Sequence, residues 1–187
     1  MWTVATQSDP QSAPPPLTGH VAVVWRNEFI VHGGGTDEGE ASDRTYFYDL
    51  DARRWVAREL AGQPALARRD HAAALVGERL FLFGGDDGQS PRNDCWVYDV
   101  ARDEWEEPEL RGERPSPRSR HSMTLVRHFR AETQTEDERL YLYGGVGTHT
   151  EVVHYLDLAT RTWVTPTPVG EEVLPLLGHT AAAIGAE

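Results

Sequence analysis

The sequence predicts an all-β chain built from three copies of one four-stranded unit, and three regularities carry that reading. First, Trp55, Trp105 and Trp163 are each followed seven residues later by a glycine (Gly62, Gly112, Gly170), and each glycine nine residues later by a histidine (His71, His121, His179). Second, a double glycine closes an apolar run in every copy: Gly33-Gly34 after Phe29-Ile30-Val31-His32, Gly84-Gly85 after Phe81-Leu82-Phe83, and Gly144-Gly145 after Tyr141-Leu142-Tyr143. Third, each tryptophan stands six residues beyond the aspartate that ends Tyr46-Phe47-Tyr48-Asp49, Trp96-Val97-Tyr98-Asp99 or His154-Tyr155-Leu156-Asp157. Such self-similarity at a fixed period marks a repeat architecture.

Each copy holds four short β-type runs. Val21-Ala22-Val23-Val24, Ala72-Ala73-Ala74-Leu75-Val76 and Met123-Thr124-Leu125-Val126 are first strands. They are small and apolar, as strands covered on both faces are. The runs before the double glycines are second strands, and the aromatic runs ending in aspartate are third strands. The segments beginning at Trp55, Trp105 and Trp163 are fourth, outer strands, and they carry charge as exposed edges do. His20, His71, His121 and His179 each stand at the start of a first strand. The period is 50 to 51 residues between the first copies, and the third is longer by about eight. The extra length lies in residues 127–138, a polar, acidic segment that reads as an exposed hairpin extension. A double glycine lets the backbone turn with positive φ where units crowd together. A tryptophan supplies a broad apolar plate between neighbours.

Four antiparallel strands repeated every 50 residues or so, with double glycine, aromatic strand ending in Asp, and Trp six residues on, resemble the kelch-type β-propeller blade. The third copy departs most, with Leu156 where the others have Tyr48 and Tyr98, and His154 where they have Tyr46 and Trp96. The resemblance implies blades over residues 20–66, 67–116 and 117–175. Residues 1–19 are then an outer strand and linker of a preceding blade, and 176–187 the first strand of a following one. Propellers have four to eight blades. Three blades and two single strands therefore form an incomplete ring, whose completion is expected from further sequence or from another chain.

Lys and Arg number 18 against 30 Asp and Glu, for a formal net charge of −12. That balance excludes a general nucleic-acid binder, which carries a clustered basic surface. No apolar run reaches the ~18 residues that cross a bilayer. The first residues, Met1-Trp2-Thr3-Val4, lack the basic and apolar regions of a secretion signal. The single cysteine, Cys95, permits no intrachain disulfide and reads as a small buried hydrophobe. These features point to an intracellular, cytoplasmic protein, with the nucleus as the alternative.

The loops entering each blade and the loops after each double glycine are expected on one face. Arg68 and Arg118 hold equivalent slots three residues before a histidine, and Arg69 and Arg120 stand beside them. This set can engage an acidic peptide through bidentate pairs, or Arg68 and Arg118 can pair with carboxylates and carbonyls of a neighbouring blade. Asp37, Glu38, Asp86 and Asp87 follow the double glycines and are candidates for contact with a basic partner, the alternative being a solvated loop. The repeated histidines read as structural hydrogen-bonding groups rather than metal ligands. His149 and His154, with Glu151 between them, fall short of a zinc site, which needs three or four convergent ligands. Nor do the residues match the copper site of kelch-fold oxidases or the acidic-histidine cluster of iron-dependent specifier proteins. Gly33-Gly34-Gly35 has no following Lys-Ser/Thr of a phosphate loop. No catalytic residue, metal or cofactor is assigned. The kelch resemblance implies a module that binds protein partners within a larger assembly. The alternative is a fragment of a kelch-fold enzyme, an oxidase, sugar epimerase or specifier-like protein, whose active site lies partly outside these residues.

Overall fold

The computed structural model describes residues 12–63, 65–130, 134–147, 153–167, 169–170, 174 and 176–183. The outer strand expected before Pro10, the His149 and Glu151 positions, and Ile184 lie outside them.

The first blade is the antiparallel meander β1 (Val21–Trp25), β2 (Glu28–His32), β3 (Thr45–Asp49) and β4 (Arg54–Val56). A short strand β5 (Ala61–Gly62) leads to the second blade, β6 (Ala72–Val76), β7 (Arg79–Phe83), β8 (Cys95–Asp99) and β9 (Glu104–Glu106). A two-residue strand β10 (Arg118–Ser119) precedes the third blade, which begins β11 (Ser122–Arg130) and β12 (Thr135–Tyr143). The short β13 (Val146–Gly147) pairs with β10, and β14 (Val153–Asp157) and β15 (Thr162–Val164) complete the blade. No helix occurs among the described residues, and the described blades do not close a ring.

Apolar burial lies between blades rather than within them. On β7, Leu80 and Leu82 face the first blade and join Ile30, Phe47, Tyr98 and Trp105. Phe81 and Phe83 face the third and join Val97, Leu140, Leu142, Leu156 and Trp163. Side chains alternate across a strand, so a strand between two neighbours must be apolar at every position. The exception is β1, where Val24 is 56% exposed. The expected cover on both faces fails there because no described blade stands on its far side.

The six-residue step from Asp to Trp is one turn. Asp49 Oδ1 accepts from the amides of Asp51 and Ala52 at 2.9 and 2.8 Å, and Asp99 Oδ1 from Ala101 and Arg102 at 3.1 and 3.0 Å. Asp157 Oδ1 likewise accepts from Thr160. The residue two before each tryptophan, Arg53, Asp103 or Arg161, is left-handed with φ of 54 to 56°. In the second blade the Tyr98 hydroxyl also donates to Asp103 Oδ1 at 2.5 Å. Leu156 and Arg161 stand at those two slots in the third blade, and Leu156 is buried in the apolar cluster instead.

The outer strands are not bare edges. Trp105 and Trp163 are buried, and their rings meet the end of the preceding blade's second strand: Trp105 lies 4.6 Å from the His32 ring and Trp163 5.1 Å from Phe83. The edge of β9 is covered by the parallel strand β5, and Arg111 makes the matching parallel bridge to Thr162. Gly62 and Gly112, each seven residues after one tryptophan, therefore serve the next one. A side chain at Gly62 would strike the Trp105 carbonyl, and one at Gly112 the Trp163 carbonyl.

An axial basin built from the repeat

The double glycines and the histidines form one device at each junction. A methyl group at Gly84 would stand 2.6 Å from the Arg118 carbonyl oxygen and 3.0 Å from Cε1 of His121, both in the next blade. Gly33 meets Arg68 and His71 in the same way, at 2.8 and 2.6 Å. The second glycine of each pair donates its amide to that same carbonyl: Gly34 to Arg68 at 2.8 Å, Gly85 to Arg118 at 2.9 Å, and Gly145 to Leu176 at 2.8 Å. The repeated histidine thus packs its ring across the blade junction.

A shared hydrogen bond, the role expected for these histidines, does not recur. His20 Nδ1 lies 3.2 Å from the Leu17 carbonyl, and His179 Nε2 2.9 Å from Ser122 Oγ. Among the described residues neither ring nitrogen of His71 has a hydrogen-bond partner. The repeated feature is the packing.

Just before each histidine stands a left-handed residue: Gly19, Asp70, Arg120 and Gly178, with φ of 65, 56, 57 and 65°. Their backbones form a continuous chain across the blades. Asp70 N–H donates to Gly19 O at 2.8 Å, Arg120 N–H to Asp70 O at 2.7 Å, and Gly178 N–H to Arg120 O at 2.9 Å. This belt lines an open basin of about 740 Å³ whose walls include all four repeat histidines, Arg69, Asp70 and Arg120. The loops after the double glycines border it. Arg69 and Asp86 exchange two backbone hydrogen bonds at 2.9 and 2.8 Å, and Thr18 and Gly35 do the same at 2.9 and 2.7 Å. The blade-entry and post-glycine loops therefore share one face.

Within that face the candidate residues separate. Arg68 and Arg118 are fully buried at 0% exposure, so their assignment as partner contacts is corrected. Arg68 makes a bidentate pair with Asp94, at 2.8 and 2.7 Å, and donates to Gly84 O at 2.8 Å and Leu66 O at 2.9 Å. Arg118 donates to Gly144 O, Ser116 O and Ser116 Oγ at 3.2 Å each, and lies 3.1 Å from His154 Nε2. Carboxylate and carbonyl pairing is thus what the structure contains. Apart from the local bonds to Leu66 and Ser116, each guanidinium reaches into its own blade, while its backbone carbonyl serves the preceding one. Asp94 was not singled out in the sequence, and His154 was considered there only as a departure of the third copy and as a metal ligand, not as the partner of Arg118. His154 stands at an aromatic slot of the repeat, and a polar residue there was the one available signal.

Arg69 and Arg120 stay on the basin wall. Arg120 is 53% exposed and touches Asp70 Oδ2 through Nε at 3.4 Å, while Arg69 reaches Gly39 O at 3.4 Å. Asp37 and Glu38 are exposed on the loop beside Arg69. Asp86 and Asp87 are partly occupied by their own loop. Asp86 Oδ1 accepts from Gly88 N–H at 2.7 Å, and Asp87 Oδ1 from Gln89 and Ser90 at 2.8 Å. Those amides, with Arg92 at 2.6 Å, hold the Asp87 carboxyl below the usual range.

Burial governs the titratable interior. Burial pushes the Cys95 thiol up to about 12. His32, whose Nδ1 lies 2.9 Å from Thr45 Oγ1, is lowered to about 3 by burial and then by the Arg68 charge. His71 is held well below its ordinary value by burial, then by His32 and Arg68. Both imidazoles are neutral in the fold, whereas in the unfolded chain they take protons near pH 6.5. The unfolded state then binds more protons below that point, so stability is full above about pH 6.5 and falls as the pH drops toward 3. The urea midpoint is expected to fall between pH 7 and pH 5. His32→Phe, which installs the residue the second blade carries at this slot, should flatten that slope. A midpoint unchanged over this range in the parent chain would contradict the assignment. Among the described residues no three His, Cys, Asp or Glu side chains are grouped to hold a metal ion, and no helix is long and apolar enough to cross a membrane.

Four-stranded blades stacked through glycine–histidine junctions, around a belt of left-handed residues, define a segment of a β-propeller. The KLHDC2/KLHL20/DRC7 Kelch-repeats domain matches residues 1–187, and the chain belongs to the kelch-repeat family. It is 31% identical to Acyl-CoA-binding domain-containing protein 4 of Arabidopsis thaliana over 97% of its length and 27% of the relative's. To Host cell factor 2 of Homo sapiens it is 29% identical over 92% of its length and 24% of the relative's. To Kelch repeat-containing protein 2 of Saccharomyces cerevisiae it is 25% identical over 78% of its length and 18% of the relative's. The chain thus spans about a quarter of the length of the first two of these relatives, and less of the third.

Proposed function

We propose that this chain is a protein-interaction module, part of a larger assembly, that seats an acidic segment of a partner in the axial basin through Arg69 and Arg120. The carrying observation is the division among the four arginines. Two are consumed inside blades, and the two beside them face a basin of about 740 Å³ with, among the described residues, only long, single contacts at 3.4 Å. A guanidinium has five N–H donors, so most of the donor capacity of Arg69 and Arg120 remains for carboxylates. Family membership supports the reading, since kelch repeats commonly serve protein interaction. In this reading Asp37 and Glu38 flank the entrance and disfavour acidic side chains there, which sets the register of the segment. Asp86 and Asp87 shape the rim.

The test is fluorescence anisotropy with a labelled glutamate- and aspartate-rich peptide. Arg69→Glu with Arg120→Glu is expected to weaken binding by roughly tenfold to a hundredfold, since each is a charge-assisted contact. The same loss is expected in the parent chain when salt is raised. Unchanged binding in the double variant would refute the axial site.

A further inference from the structure

The opposite end of the blades carries a second site. There the β6–β7 and β8–β9 turns of the second blade face the third. Val76, Phe81, Pro108, Leu110, Leu156 and Leu158 wall a pit of about 160 Å³. An apolar cavity of ~150 Å³ accepts a group of benzene size. Through Arg79, Pro108 and Arg161 the pit runs into a trough of about 510 Å³, lined by Asp99, Glu104, Glu106, Glu107 and Glu109. Five carboxylates there face three guanidinium groups, those of Arg79, Arg102 and Arg161. Arg79 is spent on Glu106 and Arg102 on Asp99, and Glu107 pairs with Arg114. Glu104 and Glu109 have no ion-pair partner among the described residues.

The insertion in the third blade adds the remaining wall. β11 and β12 run beyond the blade as a two-stranded ribbon, in which Arg127 pairs with Glu138 and Phe129 stands opposite Glu136. Directly opposed residues share a face of an antiparallel pair. By the same alternation this is the face of Met123, Leu140 and Leu142, which packs against the second blade. Glu138 lines the pit, and Phe129, 61% exposed, continues the face outward.

We infer that this end of the blades binds a cationic segment that carries one aliphatic anchor. The anchor fills the pit, and lysine or arginine side chains on either side lie in the trough against Glu104 and Glu109. Long cationic side chains suit such a trough, because their stems cover apolar wall while their heads reach the carboxylates. The site stands on different residues from the axial basin and is independent of it.

The probe is a short labelled peptide of lysine, arginine and serine with a single central leucine, measured by anisotropy against the whole chain. Replacing its leucine with serine should weaken binding by roughly tenfold, the scale of one buried side chain. Glu104→Lys with Glu109→Lys, both exposed positions, should also weaken it by roughly tenfold. Arg69→Glu with Arg120→Glu should leave it unchanged. Equal binding of the leucine and serine peptides would overturn the proposal, since attraction to a chain of net charge −12 would then be the whole effect. Lack of binding, or insensitivity to the glutamate reversals, would overturn it too. Any change in the Arg69/Arg120 variant, above all the tightening that two new carboxylates would give a cationic peptide seated in the axial basin, would move the peptide there and refute the second site.

Discussion

Asp94→Ala will lower the free energy of unfolding by about 3–5 kcal/mol, the cost of leaving a buried charge without its partner. Arg68 is fully buried and makes a bidentate pair with Asp94 at 2.8 and 2.7 Å. Burial pushes the Asp94 carboxyl up, but the hydrogen bonds and charge of Arg68 outweigh it and hold the group below its ordinary value. Asp94 also accepts from Trp96 Nε1 at 2.7 Å. Removing the acid strands both donors. The double variant Arg68→Leu with Asp94→Ala is expected to recover most of the loss, because an apolar replacement of a buried pair is often close to neutral. Leucine is already the repeat's own choice at this slot, in Leu17 and Leu176. Urea titration of the two single variants and the double one gives the coupling directly. Additive losses would show that the pair is not the unit that matters.

Trp105→Ala will cost about 3–5 kcal/mol, the range for deleting a buried aromatic side chain. Its ring is 2% exposed and stands against His32 of the first blade and Tyr98 of its own, at 4.6 and 5.1 Å. Its loss opens a cavity at the junction of two blades. Trp55→Ala should cost clearly less, because its ring contacts among the described residues, to Tyr46 and Tyr48, lie within its own blade and it is only half-buried. Thermal unfolding of the two variants tests the difference. Equal losses would mean that the tryptophan acts within a blade and not between blades.

The blade pattern was legible because each landmark answers to local or repeated physics. The aspartate caps its turn, the double glycine avoids a carbonyl, and apolar runs follow burial on both faces. The pairing of landmarks was not legible. Gly62 is counted from Trp55 but packs on Trp105, because the linker runs beside the outer strand of the next blade. The candidate site was half legible. Four arginines at neighbouring positions look alike in a sequence. A step of one or two positions decides whether a side chain enters a blade, as Arg68 does toward Asp94, or faces the axis, as Arg120 does beside Asp70.

The repeat, its strands and its family follow from the order of residues alone, since periodic burial and turn chemistry leave their mark on every copy. What depends on the packed molecule is which neighbour each residue meets. Arg68 and Arg118 bury their guanidinium groups inside their own blades, whereas the belt from Gly19 to Gly178 and the pit beneath the ribbon join residues from different blades. Such contacts are set by how the blades stack, and no spacing within one copy records them.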